Sequence, residues 1–160
     1  EEGFSGCDGR TTIFDWWSVA SIRRLRKLIA SGKYRTSSVS ELVENGLMKE
    51  EAELFLRFTE AIRLAAEDCS IRQGTTYDLC YCNMSSDGFD KNRHFVFLRD
   101  YEEHTLLIAA NFSNREAVMK LVIPEHAFEW MGIPKTEVLH PGKVIEVKVQ
   151  PMDGAIVTLI

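Results

Sequence analysis

The first part of the chain places its apolar residues at helical spacing. After Ser18 they recur every three or four positions as far as Gly32, and this period predicts a first helix that ends at the glycine. Its stripe consists of Val19, Ile22, Leu25, Leu28 and Ile29. Residues 1–17 have no clean period and are rich in glycine, so they are predicted to form a loop.

Two further helices are predicted before Gly74. Ser38 and Glu41 have the spacing of a capping box, in which each side chain accepts a hydrogen bond from the other residue's backbone N–H. The short helix that they begin is expected to end at Asn45-Gly46. A second apolar stripe predicts a longer helix over roughly 48–70, and we expect a sheet to cover it. This stripe consists of Leu54, Phe58, Ala61, Ile62, Ala65 and Cys69.

In the second half of the chain the period changes to two, which is typical of β-strands. Phe95–Leu98 and Leu106–Ala110 are apolar on both faces, so they are predicted to be central strands with Phe97 and Ile108 buried. Val144–Val149 instead alternates, which predicts a strand with one face in water. The predicted strands are Tyr77–Asn83, His94–Asp100, Thr105–Phe112, Ala117–Ile123, Val144–Val149 and Ala155–Ile160.

This order of elements predicts an α+β fold, with N-terminal helices followed by an antiparallel β-sandwich. Helices and strands that are segregated along the chain form separate layers, whereas strict alternation would predict β-α-β units. We expect a loop and helical segment over residues 1–74 and a β-sandwich domain over residues 75–160.

The composition is that of a folded protein, and it restricts the possible partners. Of the 160 residues 45% are apolar and 27% are charged, which excludes general disorder. The net charge of -5 argues against a nucleic acid partner, because affinity for phosphates depends on cations. No apolar run approaches the roughly 20 residues of a membrane-spanning helix, so no membrane partner is expected. The chain lacks an initiator methionine and is expected to be a piece of a longer protein.

No group of residues predicts a metal, cofactor or catalytic site. Cys80 and Cys82 share one face of a predicted strand at a spacing that matches neither zinc-binding nor redox motifs, so we expect buried or half-buried, apolar side chains. The carboxylate pairs lie in predicted turns, where nothing fixes two of them at a catalytic separation. Asn83 and Asn111 begin Asn-x-Ser patterns, but such short patterns arise by chance and Asn111 ends a predicted buried strand. We therefore assign no catalytic residue, metal ligand, cofactor or glycan.

Trp16 and Trp17 are the candidate substrate-binding residues. Two adjacent tryptophans beside a glycine-rich loop could stack against a flat sugar ring. They could equally form a hydrophobic plug where the loop enters the first helix. The sequence alone favours the plug.

Three segments, in order along the chain, resemble enzymes of the α-amylase type, glycoside hydrolase family 13. The segment after the eighth barrel strand of that family is similar to Gly3–Ser18, with its Gly-Phe-Ser-Gly and Asp-Gly-Arg-Thr-Thr-Ile-Phe-Asp sequences. The helix that leads out of the barrel resembles the predicted helix that closes on Ile71–Gly74. The C-terminal β-domain often carries F-x-F-x-R followed by L-L-V-V-x-N-F-S, which Phe95–Arg99 and Leu106–Ser113 resemble.

The resemblance implies that the chain is the C-terminal portion of an α-amylase-like glycosidase. Residues 1–74 would be the end of a (β/α)8 barrel, and residues 75–160 a structural accessory domain. The parent would be a retaining α-glycosidase or α-glucanotransferase that acts on α-linked glucans. Its three catalytic carboxylates would lie upstream of Glu1, so this fragment is expected to be inactive alone. The implied partners are the missing catalytic barrel and an α-glucan.

Two other functions stay open. The chain could be an independent carbohydrate-binding module that uses Trp130 or the Trp16-Trp17 pair, or an interaction domain that only shares the fold. A binding module should present a row of aromatic side chains on the surface of a sheet. The sequence places Phe95, Phe97 and Phe112 in core-like runs, which favours the accessory role.

A homodimer of the fragment is also expected. Without barrel partners the stripe of the first helix would form a larger exposed patch than soluble monomers usually tolerate. The stripe of the long helix is expected to be covered by the sheet and so unable to hide it. We therefore expect the first helix to pair with a second copy, with Leu25 at the contact.

Overall fold

Residues 19–102 and 104–160 are described by a computed structural model, in which helices precede a mostly antiparallel arrangement of strands. This confirms the predicted α+β class. The chain divides into two compact units, one ending at Arg63 and one spanning Leu64–Ile160, which we call the helical unit and the β-unit. The elements are α1 (Ala20–Ala30), α2 (Val39–Glu44), α3 (Lys49–Glu67), α4 (Cys69–Gln73), β1 (Thr75–Asp78), β2 (His94–Tyr101), β3 (His104–Asn111), β4 (Ala117–Val122), α5 (Glu125–Met131), β5 (Val144–Val149) and β6 (Asp153–Thr158).

A small apolar core holds the helical unit together. Leu28 of α1, Leu42 of α2 and Ala52 of α3 are buried together, and Leu25 packs against them partly buried. The predicted stripe of α1 is therefore covered in part by the chain's own α2 and α3. The homodimer was expected because α3 was thought unable to cover this stripe. Ile29 of the stripe stays 50% exposed, and the homodimer stays a prediction.

The start of α2 forms only half of the predicted capping box. The Ser38 hydroxyl accepts a hydrogen bond from the Glu41 N–H at 3.3 Å, as predicted. The Ser38 N–H, which Glu41 was expected to bind, donates instead to the Thr36 hydroxyl at 3.0 Å. The corresponding return bond is found at the start of α3, where Glu51 Oε2 accepts from the Met48 N–H at 2.9 Å.

The predicted long helix is interrupted at Asp68. This residue is extended, with ψ 117°, and its carboxylate accepts from the N–H groups of Ser70 at 2.8 Å and Ile71 at 3.2 Å. An aspartate in this position is a strong N-cap, so it ends α3 and begins the separate helix α4.

The apolar stripe of α3 is exposed rather than covered. Leu54, Phe58 and Ile62 are 56%, 61% and 66% exposed, so the expectation that this stripe is buried is wrong. The side of the helix that is buried carries Ala52, which faces the small core with α1 and α2. That core is large enough to bury only one face of α3.

An ion pair between α1 and α3 makes the stability of the helical unit depend on pH. Arg24 Nε donates to Glu51 Oε2 at 2.8 Å, and this hydrogen bond lowers the pKa of the Glu51 carboxyl to about 2 from its ordinary value of 4.5. Between these two values the unfolded state binds more protons than the folded state. The stabilisation is therefore complete above about pH 4.5 and is lost as the pH falls toward 2.

We expect Glu51→Gln to lower the thermal midpoint at neutral pH, and the difference from the unsubstituted chain to shrink as the pH falls toward about 2. Thermal unfolding followed by circular dichroism over this pH range measures the effect. Glu53→Gln is the matched control, because Glu53 is 47% exposed and lies 3.9 Å from Lys49 Nζ in a loose surface pair. A Glu51→Gln difference that stays undiminished at the acid end would contradict the assignment.

The β-unit contains a four-stranded antiparallel sheet in the order β1-β2-β3-β6 and a two-stranded sheet of β4 and β5. β2 and β3 are central strands, as predicted. Leu98 of β2 lies opposite Tyr77 of β1 and Leu107 of β3. These side chains bury one face of the sheet in a core that it shares with β4, β5 and α5. In β5, Val147 and Val149 are buried and alternate with the exposed charged residues Glu146 and Lys148, as predicted.

The other face of the four-stranded sheet is less covered than predicted. Side chains alternate along a strand, so burial of Leu98 and Leu107 directs Phe97 and Ile108 to the opposite face. Both are only half-buried there, and the prediction that they lie in the core is wrong. Toward α4 the same face is covered, and Leu106 is 1% exposed.

β1 ends earlier than predicted, which changes the setting of two cysteines. The Asp78 carboxylate accepts from the Cys80 N–H at 2.7 Å and starts a turn. Cys80 and Cys82 therefore lie in this turn and not on one face of a strand, although both are free and half-buried as predicted. Burial raises the pKa of each thiol, which keeps it in the unreactive protonated form.

Candidate functional site

The sequence-predicted binding residues Trp16 and Trp17 lie outside the described residues. Trp130, the third tryptophan considered, is on α5, a helix that the sequence analysis missed. Pro124 precedes this short helix, and Gly132 ends it with a left-handed φ of 72°. Phe128 fixes the helix to the core of the β-unit and is 2% exposed.

α5 presents two exposed rings beside a buried tyrosine of β1. His126 and Trp130 are four residues apart and therefore lie on the same side of the helix. Their ring centroids are 5.7 Å and 5.8 Å from that of Tyr77. Tyr81, from the turn after β1, has its ring centroid 6.3 Å from the same tyrosine. We call these four residues the Tyr77 cluster.

Hydrogen bonds at the Tyr77 hydroxyl connect three members of the cluster. This oxygen is 2.6 Å from the Tyr81 hydroxyl and 2.9 Å from His126 Nδ1. Burial raises the pKa of Tyr77 well above its ordinary range, and the hydrogen bond with Tyr81 adds to the effect. The Tyr77 hydroxyl therefore keeps its proton at all ordinary pH values and can donate to one neighbour while accepting from the other.

The outer members of the Tyr77 cluster are open to solvent although its centre is not. Tyr77 is 8% exposed, whereas Tyr81 is 51% and Trp130 is 55% exposed. Flat aromatic faces next to a hydroxyl and an imidazole provide binding chemistry. The Tyr77 hydroxyl is not an activated nucleophile, because a tyrosine with a raised pKa is neither a base nor a nucleophile near neutral pH.

A second exposed surface lies on the four-stranded sheet and consists of apolar side chains alone. Phe97, Ile108 and Ile156 lie side by side on β2, β3 and β6, and the Phe95 ring is 5.3 Å from that of Phe97. We call these four residues the outer patch; Phe95 is 47% and Ile156 is 44% exposed. Phe112, after β3, is 65% exposed. The prediction that the strand aromatics occupy the core is wrong, because an apolar run does not say which face is covered.

Ser70, His104 and Asp68 lie close together without forming a catalytic triad. The Ser70 hydroxyl is 2.9 Å from His104 Nδ1 and donates to the His104 carbonyl at 2.7 Å. Asp68 Oδ1 lies 3.9 Å from the same ring nitrogen, whereas a triad uses opposite nitrogens for the serine and the carboxylate. Ser70 is also fully buried, so its hydroxyl fixes α4 to β3.

Asn83 and Asn111, the asparagines of the two glycosylation patterns, are buried and hydrogen-bonded. Asn83 Oδ1 accepts from the Val122 N–H at 2.8 Å, and its Nδ2 donates to the Val122 carbonyl at 3.0 Å. The side chain thereby pairs with the end of β4 as a neighbouring strand would. Asn111 Nδ2 donates to the Arg115 carbonyl at 2.8 Å. Neither amide is accessible in the folded chain, since the residues are 0% and 1% exposed.

The helical unit contains a cavity of about 200 Å³ whose described lining is mostly apolar, with Ser21 and Glu51 as its polar residues. Leu25, Leu47, Leu54 and Phe55 are among the side chains that line it. Among the described residues that line it, the charged one is Glu51, which is already paired with Arg24. The Tyr77 cluster, where polar and aromatic groups converge, is therefore the stronger candidate for a ligand site.

The part of the chain that the structure describes contains neither a metal-binding cluster nor a helix that could span a membrane. In residues 19–102 and 104–160, no three side chains of His, Cys, Asp or Glu come together where they could hold a metal ion. None of the helices in the same part of the chain has the length and apolar character needed to cross a membrane. Compared with models of known protein families and with curated proteins, the chain matches none of them.

Proposed function

We propose that the chain is the C-terminal portion of an α-amylase-like glycosidase acting on α-linked glucans, with the β-unit as its accessory domain. The observation that carries this proposal is a bonded link between two of the segments that resemble the family. Arg99, the last residue of the F-x-F-x-R sequence, donates from Nε to the Ser70 carbonyl at 2.9 Å and from Nη2 to the Ile71 carbonyl. These carbonyls belong to α4, which runs into the Ile71–Gly74 segment.

The Arg99 hydrogen bonds give a structural reason for the two segments to occur in the same chain. The last carbonyls of a helix have no partner within the helix, and a cation that binds them is favourable. An arginine on a central strand satisfies two α4 carbonyls at once and also bonds the Thr76 hydroxyl. The helix end and the strand pair are therefore expected to occur together in a sequence.

The outer patch also supports an accessory role. A contiguous apolar surface that a folded domain leaves exposed is typical of a contact with another protein surface. The patch lies on the central strands β2 and β3 and on the edge strand β6, and its four side chains have no hydrogen-bonding group to offer a small polar ligand. A neighbouring catalytic barrel of the same polypeptide is the partner that fits the resemblance.

The purified 160-residue chain is expected to release no reducing sugar from soluble starch or maltoheptaose, because catalysis is assigned to an upstream barrel. The experiment extends the coding sequence upstream of Glu1 and assays both products. The longer product should encode three barrel carboxylates and cleave the same substrates, and replacing its nucleophilic aspartate with asparagine is the control. An upstream frame without a barrel would overturn the proposal. So would turnover by the short chain that disappears when one of its own carboxylates is replaced.

An independent carbohydrate-binding module is the second candidate function. The exposure of Trp130 and Tyr81 around Tyr77 favours it, since exposed aromatic faces suit sugar rings. The same upstream sequence distinguishes the two proposals, because an independent module would lack the barrel.

A further inference from the structure

We propose that the Tyr77 cluster binds one pyranose ring of an α-linked glucan. In this site the exposed faces of Trp130 and Tyr81 would pack against the C–H face of the sugar, while His126 and the Tyr81 hydroxyl bind adjacent sugar hydroxyls. The choice of an α-glucan rests on the proposed function, whereas the choice of a sugar rests on the geometry of the cluster.

The exposed rings of the cluster are held by rigid elements. Tyr77 is paired in register with Leu98 of the central strand β2, and its hydroxyl is fixed by two hydrogen bonds. α5 is anchored through Phe128. Rings held in this way lose little conformational freedom when a ligand binds, which favours affinity.

The hydrogen bonds give the site one donor and one acceptor. The Tyr77 hydroxyl lies 2.9 Å from His126 Nδ1 and 2.6 Å from the Tyr81 hydroxyl, so it donates to one of them and accepts from the other. When it donates to Nδ1, His126 Nε2 carries a proton that it can donate and the Tyr81 oxygen keeps a lone pair that can accept. When it donates to Tyr81, the Tyr81 hydroxyl is left to donate and Nε2 of the Nδ1–H tautomer is left to accept. Adjacent hydroxyls of a pyranose can each donate and accept, and so they complement this pair.

The chemistry favours a sugar over the other classes of ligand. The outer patch shows what a purely apolar surface of this protein looks like, and the Tyr77 cluster differs from it by its two hydroxyls and imidazole. A phosphate-bearing ligand would need cations, and the cluster has no lysine or arginine among its members. Two flat apolar faces with one donor and one acceptor match the amphipathic faces of a pyranose.

The test is a titration of the isotopically labelled 160-residue chain with maltoheptaose, followed through the indole N–H signals of its 3 tryptophans. The Trp130 signal is identified by its absence in Trp130→Phe. We expect this signal to shift saturably, and Trp130→Ala and Tyr81→Ala each to weaken binding by about tenfold or more. Tyr81→Phe, which keeps the ring and loses the hydroxyl, should weaken binding less.

Phe95→Ala is the matched control, because Phe95 is 47% exposed and lies on the outer patch; it should leave the affinity unchanged. Trp130 and Tyr81 are more than half exposed, so their variants should fold, which the dispersion of the amide signals verifies.

A Trp130 signal that does not move, or an affinity unchanged in both alanine variants, would overturn the proposal. Equal binding of a β-linked oligosaccharide of the same length would overturn the α-glucan assignment. A missing upstream barrel with intact maltoheptaose binding would refute the proposed function alone, and a barrel without binding would refute this inference alone.

Discussion

Leu98→Ala is expected to lower the free energy of unfolding of the β-unit by about 2–5 kcal/mol, the range for truncating a buried leucine. Leu98 is 0% exposed, lies on the central strand β2 and contacts the core that the two sheets and α5 share. In a domain of about 100 residues each kcal/mol moves the thermal midpoint by roughly 4–8 °C. The midpoint should therefore fall by about 8 °C or more, measured by calorimetry or circular dichroism.

Phe97→Ala is the matched comparison, one position away on the same strand. Phe97 is the larger residue, but it lies half-buried on the other face of the sheet, so much of its surface already meets water. Its truncation should cost less than that of Leu98, although a fully buried phenylalanine would cost about 3–5 kcal/mol. A Phe97→Ala variant that is less stable than Leu98→Ala would contradict this assignment of the two faces.

The difference between Leu98 and Phe97 shows what the sequence could and could not predict. The positions of five of the six strands, their antiparallel pairing and the central place of β2 and β3 follow from apolar runs between turn residues, and these predictions are confirmed. The first strand, β1, begins and ends earlier than predicted. A run that is apolar on both faces contains no alternation, so it cannot identify the face that packs on the core. That choice depends on which elements return to cover the sheet.

The helices show a similar limit. A continuous apolar stripe suggested one helix through Asp68, but the short carboxylate of Asp68 binds two backbone N–H groups and starts a new helix there. Capping of this kind is visible in a sequence only as a polar residue inside a periodic pattern. α5 was missed because its seven residues are too few for a clear period. Its signals were the preceding Pro124 and the following Gly132.

The candidate site could not be predicted because its members are distant in sequence. Tyr77 and His126 are 49 positions apart and meet at 2.9 Å only because β1 and α5 lie together in the β-unit. Trp130 was recognised as an exposed-aromatic candidate from its residue type alone. Its neighbours His126 and Tyr81 belong to no sequence motif. The four-residue spacing of His126 and Trp130 is informative only once α5 is known to be a helix, and Tyr81 lies in a distant turn.

Asn111→Ala is expected to destabilise the β-unit by roughly 3 kcal/mol. A buried polar group that loses its hydrogen-bond partner costs about 1–3 kcal/mol, and the Asn111 side chain is the partner of several buried backbone groups. Asn111 Nδ2 lies 2.8 Å from the Arg115 carbonyl, 3.1 Å from that of Gln150 and 3.3 Å from that of Val149. Its Oδ1 accepts from the Ser113 N–H at 2.9 Å. The end of β3, the β3–β4 connection and the end of β5 are therefore joined through one amide.

Two further variants separate this hydrogen bonding from packing and from local sequence effects. Asn111→Asp keeps the size of the side chain but turns an oxygen toward carbonyls that need a donor, so it should destabilise the β-unit at least as much as alanine at neutral pH. Asn114→Ala changes an exposed asparagine of the same connection and should stay within about 0.5 kcal/mol of the unsubstituted chain. Urea unfolding gives all three free energies. If Asn111→Ala were as stable as Asn114→Ala, the Asn111 amide would not hold the two sheets together. The presence of asparagine in the Asn111-Phe112-Ser113 sequence would then not be explained by folding.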